Sequence, residues 1–153
     1  MCGGFEFLRH PERLAEEELL PALRGTGAGL AVIRVTFPNP RAALRVAPGQ
    51  DLWLPWGRRR GEPGDWPEGG WARRESLDKA FWQRWRPVPV CIRAQRWMEK
   101  DYTRTARWFD LEGQAVLCLR LDAAPGTPLY VVTEPAVGAY LAEVHGRAPV
   151  IVP

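Results

Sequence analysis

"ARWFDLEGQAVLCLRL", residues 106–121, decides how the chain is read. Two strand-like runs rich in aromatic and aliphatic residues flank "LEGQ" at 111–114, a short break that contains a glycine. That pattern predicts a β-hairpin. A hairpin pairs its strands antiparallel, so the chain is not a succession of βα units. On the N-terminal side, "VPVCIRA" (88–94) reads as a strand, and on the C-terminal side so does "PLYVVTEP" (128–135). "AVGAYLAEVHG" (136–146) follows as a helix closed by Gly146, and "APVIV" (148–152) as a last strand.

Farther upstream, "CGGFEFL" (2–8) alternates weakly and predicts an opening strand. "HPERLAEEELLPALRG" (10–25) predicts a helix, with Pro11 in its first turn, acidic residues in its early half and Gly25 at its end. "LAVIRVTF" (30–37) is β-branched and stops at "PNP", and "AALRVAPG" (42–49) is a further extended piece ending in a Pro-Gly turn. Residues 57–70, "GRRRGEPGDWPEGG", read as a Gly/Pro-rich loop with a basic start and as the least ordered segment. "SLDKAFWQRW" (76–85) predicts a short helix capped by Ser76, with Leu77, Phe81 and Trp85 on one face. The fold class is α+β: a curved, mostly antiparallel sheet or open barrel with a few flanking helices. Residues 1–153 form one domain, because neither side of the 57–70 loop would make a core alone.

The bulk composition narrows the function classes. Hydrophobic residues make up 46% and charged residues 25% of 153 residues, as in a soluble globular protein. No apolar run is long enough to span a bilayer, and the charged N-terminal twenty residues do not read as a signal peptide, so a cytoplasmic location is expected. Cys2, Cys91 and Cys118 show no paired spacing, and His10 and His145 are the two histidines, so neither a disulfide framework nor a metal site is expected, and no cofactor. The net charge is +3, carried almost entirely by arginine, since Lys79 and Lys100 are the two lysines. Arginine interleaved with eight tryptophans suits phosphates and unstacked bases, although tryptophans also fill small cores and GC-rich genomes favour arginine.

No P-loop, nucleophile elbow or dinucleotide fingerprint is present. Chemistry is carried instead by an ordered set of short motifs. "MCGGF" opens the chain, then "VAPGQ" (46–50), "PWG" (55–57), "WARRES" (71–76), "DKAFWQRW" (78–85), "VCIRAQRWMEK" (90–100) and "YVVTEPAVGAYLAEVHGRAPVIV" (130–152) follow. In this order the set resembles the SRAP family (SOS response-associated peptidases, abasic-site-processing proteins). The family is marked by M-C-G-R-F, V-A-P-x-Q, W-G, N-A-R-x-E, a K-P-A-F helix, F-Y-E-W and H-D-R-M-P-V-I. The best single match is His145-x-Arg147-x-Pro149-Val150-Ile151.

The resemblance implies an SRAP-like fold and a covalent thiazolidine crosslink between Cys2, exposed once Met1 is removed, and the ring-opened sugar of an abasic site in single-stranded DNA. It implies catalytic roles for Cys2 as nucleophile and for His145 and Glu99 in proton transfer, with one residue fewer than usual between Cys91 and Glu99. Arg73 and Arg147 match phosphate-holding arginines. Trp53 and Trp56 are candidates to stack on bases, and Arg58, in the "RRR" run, to contact phosphate. The resemblance also implies DNA-damage and SOS-response roles, lyase activity at the abasic site, a self-processing hydrolase (protease) step, a nucleoid-associated location and a monomer. Departures are plain: Gly4 replaces the family's arginine, Trp71 its asparagine, and Arg45 an asparagine that often precedes V-A-P. They leave open a non-catalytic single-stranded nucleic-acid-binding module, and an N-terminal cysteine hydrolase acting on another amide.

Overall fold

The computed structural model describes residues 3–8, 32–38, 43–47, 52–121 and 126–153. The helix expected at 10–25 and the candidate nucleophile Cys2 lie outside the described residues. Twelve strands are defined within them: β1 (Gly4–Leu8), β2 (Val32–Thr36), β3 (Ala43–Ala47), β4 (Leu52–Pro55), β5 (Trp71–Arg73), β6 (Pro87–Ile92), β7 (Arg96–Lys100), β8 (Ala106–Asp110), β9 (Ala115–Leu121), β10 (Leu129–Pro135), β11 (Arg147–Pro149) and β12 (Ile151–Val152). A 3-10 turn, Arg74–Ser76, and two short helices, α1 (Ala80–Gln83) and α2 (Gly138–Glu143), complete the described elements.

The strands form two sheets. One runs β2-β1-β7-β8; the other runs β11-β10-β9-β6-β3-β4, with β12 added to β9 and β5 to β10. Pairing is antiparallel except between β5 and β10, which are parallel. The mostly antiparallel α+β expectation therefore holds at that level, and the sheets stay open among the described residues rather than closing into a barrel.

A first core lies between the sheets. Phe5, Phe7, Ile33 and Val35 from one meet Leu44, Val46, Ile92, Val116, Cys118, Leu129 and Val131 from the other. The alternate residues of β9 and β10, namely Leu119, Leu121, Tyr130 and Val132, bury the opposite face of the larger sheet against Trp82 and Ala72. Strands covered on both faces carry continuous apolar runs rather than alternation, which explains "AVLCLRL".

The same fact corrects the hairpin at 106–121. Its turn is present: Glu112 and Gly113 have φ of 51° and 83°, and Gln114 N–H donates to Leu111 O at 2.9 Å. Two left-handed central residues are the signature of a primed turn. Beyond it the strands part. β8 pairs with β7, whereas β9 pairs with β6, β10 and β12. The real hairpin is β7–β8, in register Trp97↔Phe109 and Glu99↔Arg107. An apolar run such as 115–121 gains most from the middle of the larger sheet, while the amphipathic 106–110 suits a sheet edge.

The helix at 76–85 is also corrected. Only Ala80–Gln83 is α-helical; Lys79, not Ser76, takes the N-cap place. Arg86 has φ of 51° and precedes Pro87, which ends any helix there. One turn has no stable apolar face. Trp82 is the buried residue, and Phe81 is 55% exposed. The C-terminal helix is likewise shorter than expected and ends before His145.

The smaller sheet buries a charge. Glu6 on β1 is flanked by Arg34 at 2.7 Å and Arg96 at 3.0 Å. The hydrogen bond from Arg96, and then that from Arg34, hold the Glu6 carboxyl below its ordinary range against the opposing effect of burial. A carboxyl lowered on folding stabilises above its unfolded pKa and loses that contribution as pH falls through the folded value. Wild-type stability is therefore expected to fall from about pH 4.3 downward, and Glu6→Gln to flatten that fall. Urea midpoints of both proteins across that range check it.

Candidate functional site

The N-terminal strand is placed by the β7–β8 hairpin. The register Glu6↔Arg96, Phe5↔Trp97, Gly4↔Met98 runs toward the chain's start. Gly3 continues it: its N–H donates to Met98 O at 2.7 Å, and its carbonyl accepts from Phe37 N–H at 3.0 Å. Gly4 is tightly packed, since a Cβ there would sit 3.1 Å from Val35 O and 3.2 Å from Met98 Cε. The Gly3 backbone is thus held by β7 on one side and by the turn that follows β2 on the other.

Gly3 lines a cavity of about 380 Å³. Met98, Glu99 and Lys100 form one side, and Thr36, Phe37, Pro38 and Trp71 the other. Glu99 is only 4% exposed, and its Oε1 accepts from the Lys100 N–H at 3.0 Å. Lys100, the next residue of β7, is exposed, so the strand turns Glu99 inward and Lys100 outward. A buried carboxyl beside an open cavity can exchange protons with a substrate that displaces water. Trp71 packs on Phe37 with centroids 4.5 Å apart and on Trp56 at 5.9 Å. Trp71 is therefore an aromatic wall of the cavity.

A second grouping joins the two motifs "WARRES" and "HGRAPVI". β5 and β11 both pair with β10, where Arg73 and Pro149 each lie in register with Thr133. Arg147 holds Glu75 through two hydrogen bonds of 2.8 and 2.9 Å, and contacts Thr133 Oγ1 at 3.1 Å and Thr133 O at 2.9 Å. The Arg147 hydrogen bond is the first cause of a lowered Glu75 carboxyl pKa. Arg147 is committed to protein partners, and a phosphate would compete with Glu75 for it. Arg73 is exposed and has no ion-pair partner among the described residues.

His145 follows α2. Its Nδ1 accepts from the Arg147 N–H at 3.0 Å, so the neutral ring carries its proton on Nε2. α2 is fixed over the β7–β8 hairpin by Tyr140, which packs on Trp97 and Phe109 at 5.5 Å each. His145 is not among the residues that line the cavity.

The tryptophan candidates part ways. Trp56 is fully buried, with Phe5 at 5.4 Å, Phe37 at 5.3 Å and its indole N–H donating to Gly70 O at 2.9 Å. No face of that ring is open to a base, so the stacking role expected for Trp56 is corrected to a core role. Trp53 is half-buried, edge-on to Phe7 at 5.2 Å and beside the buried Arg45 guanidinium at 5.6 Å. The 57–70 loop is tied down, not loose. Arg58 donates to Trp66 O at 2.6 Å and Glu62 O at 2.8 Å, and Tyr130 OH to Pro67 O at 2.5 Å. Gly57, of "PWG", has φ of 61°, and a Cβ there would lie 2.0 Å from Gly69 O, which requires glycine. Arg58 is a loop brace in this arrangement; Arg60 is the exposed member of the run.

Sequence reasoning missed Lys100 and the Thr36–Pro38 corner as cavity walls. The only signal for the corner was the strand stop at "PNP". Cys91 and Cys118 lie on adjacent strands; Cys91 faces Leu117 in register and Cys118 faces Val90, so they point to opposite faces. Among the described residues no group of three or more His, Cys, Asp or Glu could hold a metal ion, and no helix is long and apolar enough to cross a membrane. No protein-family model and no curated protein matches the sequence.

Proposed function

We propose that this protein is an SRAP-like abasic-site sensor: it captures the ring-opened sugar of an abasic site in single-stranded DNA through Cys2, after Met1 is removed. The observation that carries the reading is the seat of Gly3. The residue next to Cys2 is hydrogen-bonded to β7 and to the turn after β2, and lines a cavity whose wall also includes the buried Glu99 and the cation Lys100.

The steps balance without a cofactor. The α-amine of Cys2 adds to the sugar C1′ aldehyde, and the resulting carbinolamine loses water to give an imine. The Cys2 thiolate then adds to the imine carbon, which closes a five-membered thiazolidine; one water is released overall. Glu99 and His145 supply and accept the protons of ring opening and dehydration, His145 through its Nε2–H. A cation such as Lys100, which lines the cavity, would favour the thiolate. From the imine, loss of a C2′ proton with departure of the 3′ phosphate gives the lyase side reaction. Removal of Met1 is the self-processing step in this reading.

Denaturing electrophoresis tests it with two oligonucleotides, one bearing an abasic site and one bearing its tetrahydrofuran analogue, which has no aldehyde. A heat-stable shifted band with the first alone supports the reading. Equal bands, or none from protein lacking Met1, reject it. One observation favours a second reading, a non-catalytic single-strand-binding module on the same fold: the indole of Trp71 occupies the cavity wall where the family has an amide side chain. That reading predicts binding of both oligonucleotides with no covalent product.

A further inference from the structure

Trp71 is a wall of two cavities. On one side is the Gly3–Glu99 cavity; on the other is an open cleft of about 310 Å³ lined by Trp71, Arg73, Ser76, Lys79, Phe81 and Trp82. The chain has two lysines, and each lines one of these neighbouring spaces: Lys100 the first and Lys79 the second. Lys79 and Arg73 are exposed and have no ion-pair partner among the described residues. Phe81 exposes 55% of its surface although it sits on a one-turn helix whose neighbour, Trp82, is buried. Trp82 fixes that helix by packing edge-on against Tyr130 at 5.2 Å and supports Phe81 at 5.3 Å.

An exposed aromatic ring held in place, with two exposed cations beside it that make no direct ion pair among the described residues, is the combination that binds a base and its phosphate. The ring offers a π-face to any base, and the cations take the backbone charge. Duplex DNA keeps its bases stacked on each other, so the aromatic ring would gain nothing from it. An acidic peptide would use the cations and leave the ring bare.

We propose that this cleft seats the nucleotide next to the abasic position, its base against Phe81 and its phosphate between Arg73 and Lys79. This inference rests on the single-stranded DNA part of the reading above and not on the crosslink. Trp71 then separates the reacting sugar from its intact neighbour, a role that an asparagine could not fill.

Fluorescence anisotropy with an intact single-stranded oligonucleotide, which has no aldehyde, tests the cleft apart from the chemistry. Phe81→Ala is expected to weaken binding by about 5-fold or more, and Phe81→Trp to keep it. Lys79→Ala is expected to reduce the slope of log K against log salt by about 0.7. Val88→Ala, an exposed change on β6, serves as the control for surface effects. Wild-type affinity in Phe81→Ala overturns the inference, even if the wild type crosslinks abasic DNA. Full competition by polyglutamate or by duplex DNA also overturns it. Weakened binding in Phe81→Ala together with no crosslink from the wild type leaves the cleft standing and rejects only the capture chemistry.

Discussion

Cys2→Ala is expected to lose the heat-stable DNA adduct completely while keeping non-covalent binding of the same oligonucleotide. The thiazolidine needs nitrogen and sulfur on adjacent carbons of one residue. Alanine at position 2 leaves the α-amine, so an imine still forms at the sugar aldehyde, but nothing closes the ring and water reverses it. Borohydride added during the incubation should therefore trap the Cys2→Ala protein as a reduced secondary amine. That second readout separates a lost thiol from a misplaced strand: a variant whose first strand no longer docks at Met98 would give neither product. A heat-stable adduct from Cys2→Ala without reductant would place the chemistry on another residue.

Trp56→Ala is expected to cost about 3–5 kcal/mol of stability, a large part of what a domain of this size has. The ring is fully buried against Phe5, Phe37 and Trp71, and its N–H satisfies Gly70 O. Truncation leaves a cavity and removes one of the two hydrogen bonds that Gly70 O accepts, the other coming from Val131 N–H at 2.9 Å, at the point where the 57–70 loop returns to β5. The melting temperature should fall by about 10 °C or more. A base-stacking Trp56 would behave in the opposite way, with affinity lost and stability kept. Chemical denaturation and DNA titration of the same variant distinguish the two.

The sequence made much of this legible where patterns are local. β2, β3, β10 and the turn at Glu112–Gly113 follow from β-branched runs and turn chemistry. What it could not show is which strand pairs with which. Residues 106–110 and 115–121 meet at a good hairpin turn, yet their partners lie elsewhere, because the run 115–121 needs apolar cover on both faces. Local spacing also misplaced the helix at 76–85, where Pro87 and the left-handed Arg86 stop it after one turn. At the site, the family resemblance singled out Cys2, Glu99 and His145, but nothing in the sequence showed that the Glu99 side chain is buried. Tryptophan content pointed to bases without saying which rings are free. Trp56 is spent on the core, whereas Phe81, counted as part of a helix face, is one of the aromatic rings left open among the described residues. Long-range ion pairs were invisible too: Arg147–Glu75 spans the chain and joins its two arginine motifs.

Intact-mass spectrometry of the purified protein, before and after incubation with a single-stranded oligonucleotide bearing one abasic site, tests the central claim most directly. Capture through Cys2 requires a starting mass without Met1 and a product equal to protein plus oligonucleotide minus one water, stable to heating. Protein that lacks Met1 and returns from the incubation at its starting mass would contradict it.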